Sequence, residues 1–139
     1  MGRSEENSGT VRKEQEHENK LVLSTLPKTW IFDLDGTLVK HNGYKIDGHD
    51  TLLDGAKEYV ECIPTEDKIL ILTSRTDEYK DMTLELLEQN GIRYDEILFN
   101  MPMGERIVVN DRKPSGIDMA VAVNIDRDEP VFPEVDIKL

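Results

Sequence analysis

The sequence predicts an α/β protein built on a parallel sheet. Short apolar runs at residues 29–34, 68–73 and 96–99 alternate with longer amphipathic stretches, an order that is typical of strand–helix repeats. The run at 68–73 is continuously apolar between its end residues, as expected of a strand covered on both faces. At 139 residues, the chain has the length of a single domain with a core of its own.

Two helices are predicted between these strands. Residues 54–61 form the first helix, with Asp54 as the cap at its N-terminus. Residues 77–90 form the second helix, because apolar side chains recur along one side and Gly91 supplies a C-terminal stop. Helices of this kind are expected to cover the sheet.

A small β-hairpin flap is predicted at residues 38–46. Asn42-Gly43 is a strong two-residue turn signal, and its flanks are compatible with strands. The remaining elements expected from the pattern are two strands and a short helix, at residues 106–110, 121–125 and 115–120.

The composition changes near Pro27, which marks a boundary in the chain. Residues 1–26 are mostly polar and charged, and we interpret them as a flexible N-terminal extension because they offer little to bury. Residues 27–139 then form the folded domain.

Charge and cysteine content restrict the environment and the partners. The net charge of −12 and the pI near 4.6 argue against nucleic acid or an anionic membrane as the main partner. The single Cys62 cannot form an internal disulfide, so nothing indicates an oxidising compartment. No apolar run approaches the roughly 18 residues of a membrane helix, and the first residues are too polar for a secretory signal. These features predict a soluble cytoplasmic protein.

Two aspartates follow the first strand at a spacing that matters chemically. Asp33 and Asp35 are separated by one residue, and residues i and i+2 of a strand point to the same face. Gly36 follows at once and allows a sharp turn. The two carboxylates can therefore converge beyond the strand, where they could hold a divalent cation and offer an oxygen nucleophile.

Two further strand ends carry groups with chemical potential. The strand at 68–73 ends in Thr73, followed by Ser74 and Arg75, and a later segment carries Asp111 and Lys113. Open α/β sheets bind ligands beyond the carboxyl ends of their strands, so these groups are expected to share one crevice. Carboxylates suit Mg²⁺, whereas hydroxyls, N–H groups and cations suit phosphate. Phosphoryl transfer is therefore the reaction class that the residues favour.

Three of these segments carry a family resemblance. Asp33-Leu34-Asp35-Gly36-Thr37 resembles the first motif of the haloacid dehalogenase-like superfamily. Leu72-Thr73 is similar to its second motif, and Val108-Val109-Asn110-Asp111 to its fourth. The order and spacing also match, over roughly residues 28–126. The resemblance implies a Rossmann-like parallel sheet flanked by helices.

The resemblance also implies a two-step phosphatase. Asp33 would attack phosphorus and form an aspartyl-phosphate, while Asp35 would protonate the leaving oxygen and then activate water. Mg²⁺ would be held by Asp33, the main-chain carbonyl of Asp35 and Asp111. Thr73 and the chain after it would bind the phosphate.

The chain departs from the family pattern at two positions. The third family motif is a lysine between the second and fourth motifs, and the only lysine between Thr73 and Asp111 is Lys80, which is expected to be solvated on a helix. Lys113 is instead the cation that we expect to reach the nucleophile and the phosphate. The family often has a second acid four residues after the first acid of its fourth motif, and Ser115 occupies that position here.

The lengths between motifs leave no room for the family's cap domain. Residues 39–67 can hold the hairpin and one helix, and residues 76–105 one helix and a short strand. The crevice is therefore expected to be open, and family members of this type take large substrates or use an oligomeric neighbour as a lid. The loop at 110–116 is similar to capless members associated with sugar and polysaccharide biosynthesis.

The sequence thus predicts a Mg²⁺-dependent phosphatase for a small phosphorylated metabolite, with a sugar phosphate as the first choice. A nucleotide or polynucleotide phosphatase is one alternative, although a charge of −12 without a basic stripe argues against a long nucleic acid. A non-catalytic binding or regulatory domain with the same fold is the other alternative.

Overall fold

The computed structural model describes residues 20–138, which form a small α/β protein with parallel strands and helices. The chain divides into two compact units. Pro27–Pro130 forms one unit, and the described part of the other consists of residues 20–26 and 131–138. Among the described helices, none combines the length and the hydropathy that a bilayer span requires.

The smaller unit contains two strands from distant parts of the chain. Strand β1 (Lys20–Leu23) pairs in parallel with the last strand, Glu134–Ile137, and the register runs from Lys20 opposite Glu134 to Leu23 opposite Ile137. The sequence assigned residues 20–26 to a flexible extension, whereas residues 20–23 form a strand because a distant segment supplies their backbone partners. Residues 1–19, the rest of that predicted extension, lie outside the described residues.

The larger unit is built on three parallel strands. Strands β2 (Thr29–Asp33), β3 (Lys68–Leu72) and β4 (Glu96–Leu98) lie side by side in the order β2-β3-β4. Asp33 is paired with Leu72, so the carboxyl ends of β2 and β3 meet at one edge of the sheet. All three strands were predicted, and each agrees with its predicted range to within a residue. The last strand, Glu134–Ile137, is named β5.

Helices pack apolar side chains against this sheet. Helix α1 is the short Gly43–Ile46, α2 is Ala56–Glu61, and α3 is Lys80–Gln89, preceded by a 3-10 turn at Asp77–Tyr79. The core of the unit is formed by apolar side chains from the strands, the helices and the turns between them: Phe32, Leu34, Leu38, Val39, Ala56, Val60, Ile63, Ile69, Ile71, Leu87 and Ile92.

The predicted helix boundaries hold at one helix and fail at the other. The 77–90 prediction is confirmed as the 3-10 turn plus α3, and Gly91 follows it with a φ of 66°. Asp54 was predicted to cap α2, but the residue at the cap position is Gly55, with a φ of 82°. Glycine adopts this left-handed conformation without a steric penalty, so the chain turns into the helix one residue later than predicted.

Aromatic rings cover one face of β2. The ring of Trp30 stacks on Phe32 at a centroid distance of 6.0 Å, and Tyr59 of α2 meets both rings edge-on. The indole Nε1 donates a 3.0 Å hydrogen bond to the buried Asp67 carboxylate. Burial raises the pKa of the Tyr59 phenol to about 12. This face of the strand is therefore packing surface and leaves the strand's end for chemistry.

The predicted hairpin flap at 38–46 is wrong. Asn42 has a φ of 56°, as a hairpin turn would require, but its carbonyl accepts hydrogen bonds from Lys45 and Ile46 at 3.0 and 2.9 Å. These bonds close a helical turn, α1, instead of a hairpin. Val39 meanwhile forms an antiparallel bridge with Leu52. The sequence thus indicates the backbone conformation of Asn42 correctly, but pairing with a more distant residue determines the structure around it.

The elements predicted after residue 101 are also wrong. The strands expected at 106–110 and 121–125 and the helix expected at 115–120 are irregular chain. Ile107 and Val109 are 83% and 91% exposed. An apolar run forms a strand only where a neighbouring strand takes up its backbone hydrogen bonds. Among the described strands, β2 pairs with β3 alone, so neither of these runs is added to the sheet beside β2.

Candidate functional site

A tight turn at the carboxyl end of β2 carries both aspartates. Asp33 is the last residue of the strand, and Leu34, which is fully buried, holds the turn in the core. The N–H groups of Leu38 and Val39 both donate to the Leu34 carbonyl, at 2.9 and 3.1 Å. Gly36 has a φ of 86°, and a Cβ there would lie 3.1 Å from the Arg127 side chain. The turn thus favours glycine at this position, because other residues rarely adopt this backbone conformation and a Cβ would also displace the Arg127 side chain slightly.

The Asp33 carboxylate is partly exposed to solvent and accepts two hydrogen bonds. One oxygen accepts a 3.1 Å hydrogen bond from the Thr37 hydroxyl, and the other accepts a 3.0 Å bond from Nη1 of Arg106. The side chains of Arg106 and Asp33 are 35% and 39% exposed. A carboxylate in this setting is accessible to a substrate, and a cation already lies beside it.

The Asp35 carboxylate is held far more firmly, by Arg75. Nε and Nη2 of Arg75 donate to the two Asp35 oxygens at 3.1 and 2.9 Å. Nη1 and Nη2 also donate to the two oxygens of Asp50, at 3.0 and 2.7 Å, and Nη1 donates to the Thr83 hydroxyl at 2.9 Å. One guanidinium therefore joins two carboxylates and a hydroxyl.

This arginine cluster is buried at one end. The side chains of Arg75 and Asp50 are 1% and 2% exposed, whereas Asp35 is 17% exposed. The ring of Tyr44 covers the guanidinium at 4.1 Å and meets Tyr79 edge-on. Burial lowers the pKa of Arg75, but the hydrogen bonds that it donates to Asp50 and Asp35, and the negative charges of these carboxylates, raise the pKa by more, so it lies above the ordinary arginine value. Arg75 is thus a fixed cation.

The loop after β3 contains the three residues predicted to bind phosphate. The Thr73 hydroxyl is buried and accepts a 3.1 Å hydrogen bond from the main-chain N–H of Arg75. The guanidinium of Arg75 faces the aspartates, as described above. Ser74 is exposed. Of the three side chains, the one open to a ligand is therefore that of Ser74.

The other two predicted site residues lie in irregular chain. Asp111 and Lys113 are exposed, and the Asp111 carboxylate accepts a 3.4 Å hydrogen bond from the neighbouring Asn110 amide. The main-chain N–H of Lys113 donates to Ile117 at 2.9 Å, which closes a local turn. The cation that contacts Asp33 is Arg106 rather than Lys113.

The donor chemistry at the β2 turn fits a magnesium ion in part. Asp33 supplies a carboxylate and Asp35 a main-chain carbonyl, both hard oxygen donors of the type that Mg²⁺ prefers together with water. The third predicted ligand, Asp111, lies in the exposed loop. Across residues 20–138, no group of three or more His, Cys, Asp or Glu side chains is arranged to hold a metal ion.

Sequence reasoning missed Asp50, Tyr44 and Arg106 as members of the site. Asp50 lies in a loop without periodicity, and Arg106 belongs to a segment that was predicted as a strand. One signal could have found Asp50: an arginine directly after a buried strand needs acidic partners if it is buried too.

Comparison of the chain with protein-family models, curated proteins and solved structures found no match.

Proposed function

We propose that this chain is a Mg²⁺-dependent phosphatase that hydrolyses a small phosphorylated metabolite, with a sugar phosphate as the first choice, in the cytoplasm. The observation that carries the proposal is the pair of aspartates at the β2 turn. Asp33 is exposed and lies beside a cation, while Asp35 is fixed in orientation by Arg75. One carboxylate is thus suited to attack and the other to directed proton transfer.

In the proposed reaction, an Asp33 oxygen attacks phosphorus and the bond to the leaving oxygen breaks. Asp35, protonated at an oxygen site that Arg75 does not use, gives this proton to the leaving oxygen. It then takes a proton from the water whose oxygen attacks phosphorus, while the bond between Asp33 and phosphorus breaks and inorganic phosphate leaves. Arg106, which contacts Asp33, supplies a cation for the incoming phosphate, and the exposed Ser74 hydroxyl supplies a donor. Asp33 and the Asp35 carbonyl, with Asp111 of the exposed loop as the expected third ligand, would hold Mg²⁺, whose charge would offset the repulsion between carboxylate and phosphate.

The proposal includes a Rossmann-like domain without a cap. Parallel order β2-β3-β4 supports the first part. Only the short α1 and α2 lie between the aspartates and β3, which supports an open site. An open site suits a substrate that extends beyond its phosphate.

A phosphate-binding domain without turnover is the second candidate. It is favoured by the ion pair between Arg106 and Asp33, which occupies one oxygen of the proposed nucleophile. In that case the same cation and turn would bind a phosphorylated ligand, and no covalent intermediate would form.

Phosphate release from a panel of sugar phosphates and nucleotides tests the proposal. We expect release by the wild type with Mg²⁺, loss of release with EDTA, and loss in Asp33→Asn, because an amide is a poor nucleophile. Asp47→Asn is the matched control, since Asp47 forms an exposed ion pair with Lys40. Full activity in Asp33→Asn would contradict the mechanism. No release by folded wild type, with phosphorylated compounds still bound, would favour the second candidate.

A further inference from the structure

We infer that Arg75 and Asp50 are positioning residues that fix the Asp35 carboxylate for proton transfer to the leaving group. The inference rests on the proposed phosphatase function and deepens it. Asp50 acts through Arg75, since its two oxygens bind the guanidinium and the guanidinium binds Asp35. Its own contact with the cluster is therefore one step away from the reacting atoms.

The geometry of the guanidinium leaves it no rotational freedom. Arginine has five N–H donors in one plane. Two of them bind Asp35, two bind Asp50, and the fifth binds Thr83, at distances from 2.7 to 3.1 Å. Every donor is therefore used, and any rotation of the plane breaks at least one charge-assisted bond.

The partners of the guanidinium are themselves fixed. The Thr83 hydroxyl donates a 2.7 Å hydrogen bond to the Tyr79 carbonyl at the start of α3, so its lone pair points at Arg75. The ring of Tyr44 covers one face of the guanidinium. Because Asp50 is almost completely buried, water cannot replace Arg75 as its partner. The orientation is thus imposed from α3, from the α1 region and from the Asp50 loop together.

Asp35 is the member of this cluster that reaches solvent. A carboxylate has about four lone-pair sites, and the two bonds from Arg75 use two of them, so each oxygen keeps a site for another partner. The bidentate pairing fixes the plane of the carboxylate and hence the directions of those free sites. A buried ion pair is weak evidence of stabilisation on its own, which favours a role in orientation.

Asp50→Asn is the variant that isolates this role. An asparagine presents one oxygen and one NH₂ group, so one bond to Arg75 is replaced by two donors facing each other. The guanidinium must then shift, and the Asp35 plane shifts with it. Misplacement of an acid by about 1 Å is enough to slow proton transfer by up to about 100-fold.

The test compares two leaving groups by kcat/KM with Mg²⁺. p-Nitrophenolate leaves readily as an anion, whereas an alkoxide needs the proton of a general acid. We expect Asp50→Asn to lower kcat/KM for the best alkyl phosphate of the panel by about 10-fold or more, with less than about 3-fold change for p-nitrophenyl phosphate. Asp35→Asn should show the same selectivity. Arg93→Gln is the control, since Arg93 binds main-chain carbonyls and Asp95 and makes no hydrogen bond to Asp33 or Asp35.

Equal loss on both esters, or no loss on either, would overturn the inference while the proposed function stands. A wild type that hydrolyses neither ester would overturn both. If urea unfolding shows no cooperative transition for Asp50→Asn, this variant does not fold and Thr83→Val decides instead. Thr83→Val removes one hydrogen-bond acceptor of Arg75 and keeps the ion pairs with Asp35 and Asp50. Its expected effect is a loss of about 3-fold on the alkyl ester alone, and its overturning result is no difference between esters.

Discussion

Asp33 and Asp35 lie two residues apart on one turn, and each is paired with an arginine, yet the two pairs have different consequences. Arg75 is 1% exposed and makes five side-chain hydrogen bonds, whereas Arg106 is 35% exposed and makes two. A buried, fully bonded cation fixes geometry because none of its partners can be exchanged for water. An exposed cation can leave its partner for a substrate phosphate. Burial thus distinguishes a fixed ion pair from an exchangeable one on the same turn.

The largest effect should come from removing the buried cation. Arg75→Met leaves Asp50 buried without a counterion, so we expect the free energy of unfolding to fall by about 3–5 kcal/mol. Arg106→Met should lower it by no more than about 1 kcal/mol, because Asp33 remains solvated. Urea unfolding measures both. Similar losses in the two variants would show that burial does not separate the pairs.

A smaller effect is expected at the ring that covers Arg75. Tyr44→Leu removes the contact between cation and ring as well as the edge contact with Tyr79, and should lower the unfolding free energy by about 1–2 kcal/mol. Tyr44→Phe keeps both contacts and should stay within about 0.5 kcal/mol of the wild type. If Tyr44→Phe loses as much as Tyr44→Leu, the phenol oxygen rather than the ring face supports the cluster.

The smallest effect concerns salt at the exposed pair. At low ionic strength Arg106→Gln should be less stable than the wild type by under about 1 kcal/mol. In 1 M NaCl the screening length falls to about 3 Å, so the difference should disappear. The Arg75 cluster is shielded from the solvent, and its contribution should change little over the same range. A salt-resistant Arg106 contribution would contradict the comparison.

The fold could be predicted where apolar side chains indicate a buried strand. It could not be predicted where a strand depends on backbone pairing with a distant segment. The run at 68–73 became the central strand β3, since it has strands on both sides. The run at 106–110 has a similar apolar character but no strand beside it in the described chain, and it stays irregular. Apolar residues in sequence thus indicate that a segment can form a strand, while backbone pairing determines whether it does.

The site divides in the same way. The spacing of Asp33 and Asp35 predicted two carboxylates at a strand end, and both lie there. Arg75 was predicted as a ligand for phosphate, but its direction depends on Asp50 and Thr83, which come from a distant loop and a helix. No local pattern states which loop acid meets a given arginine. For the same reason, no local pattern predicts which cation contacts Asp33. That cation is Arg106 instead of the predicted Lys113.

The pairing of β1 with β5 has a consequence for synthesis on the ribosome. Lys20 pairs with Glu134, so more than a hundred residues must be added before β1 meets its partner. At about 5–20 residues per second, that delay lasts roughly 6–23 s. Throughout this interval the nascent chain carries an unpaired strand edge with Leu21, Val22 and Leu23, because β5 is synthesised only after the whole of Pro27–Pro130. Translation speed, chaperone occupancy and temperature during expression should therefore affect the yield of this protein, because each changes how long the unpaired edge of β1 is exposed.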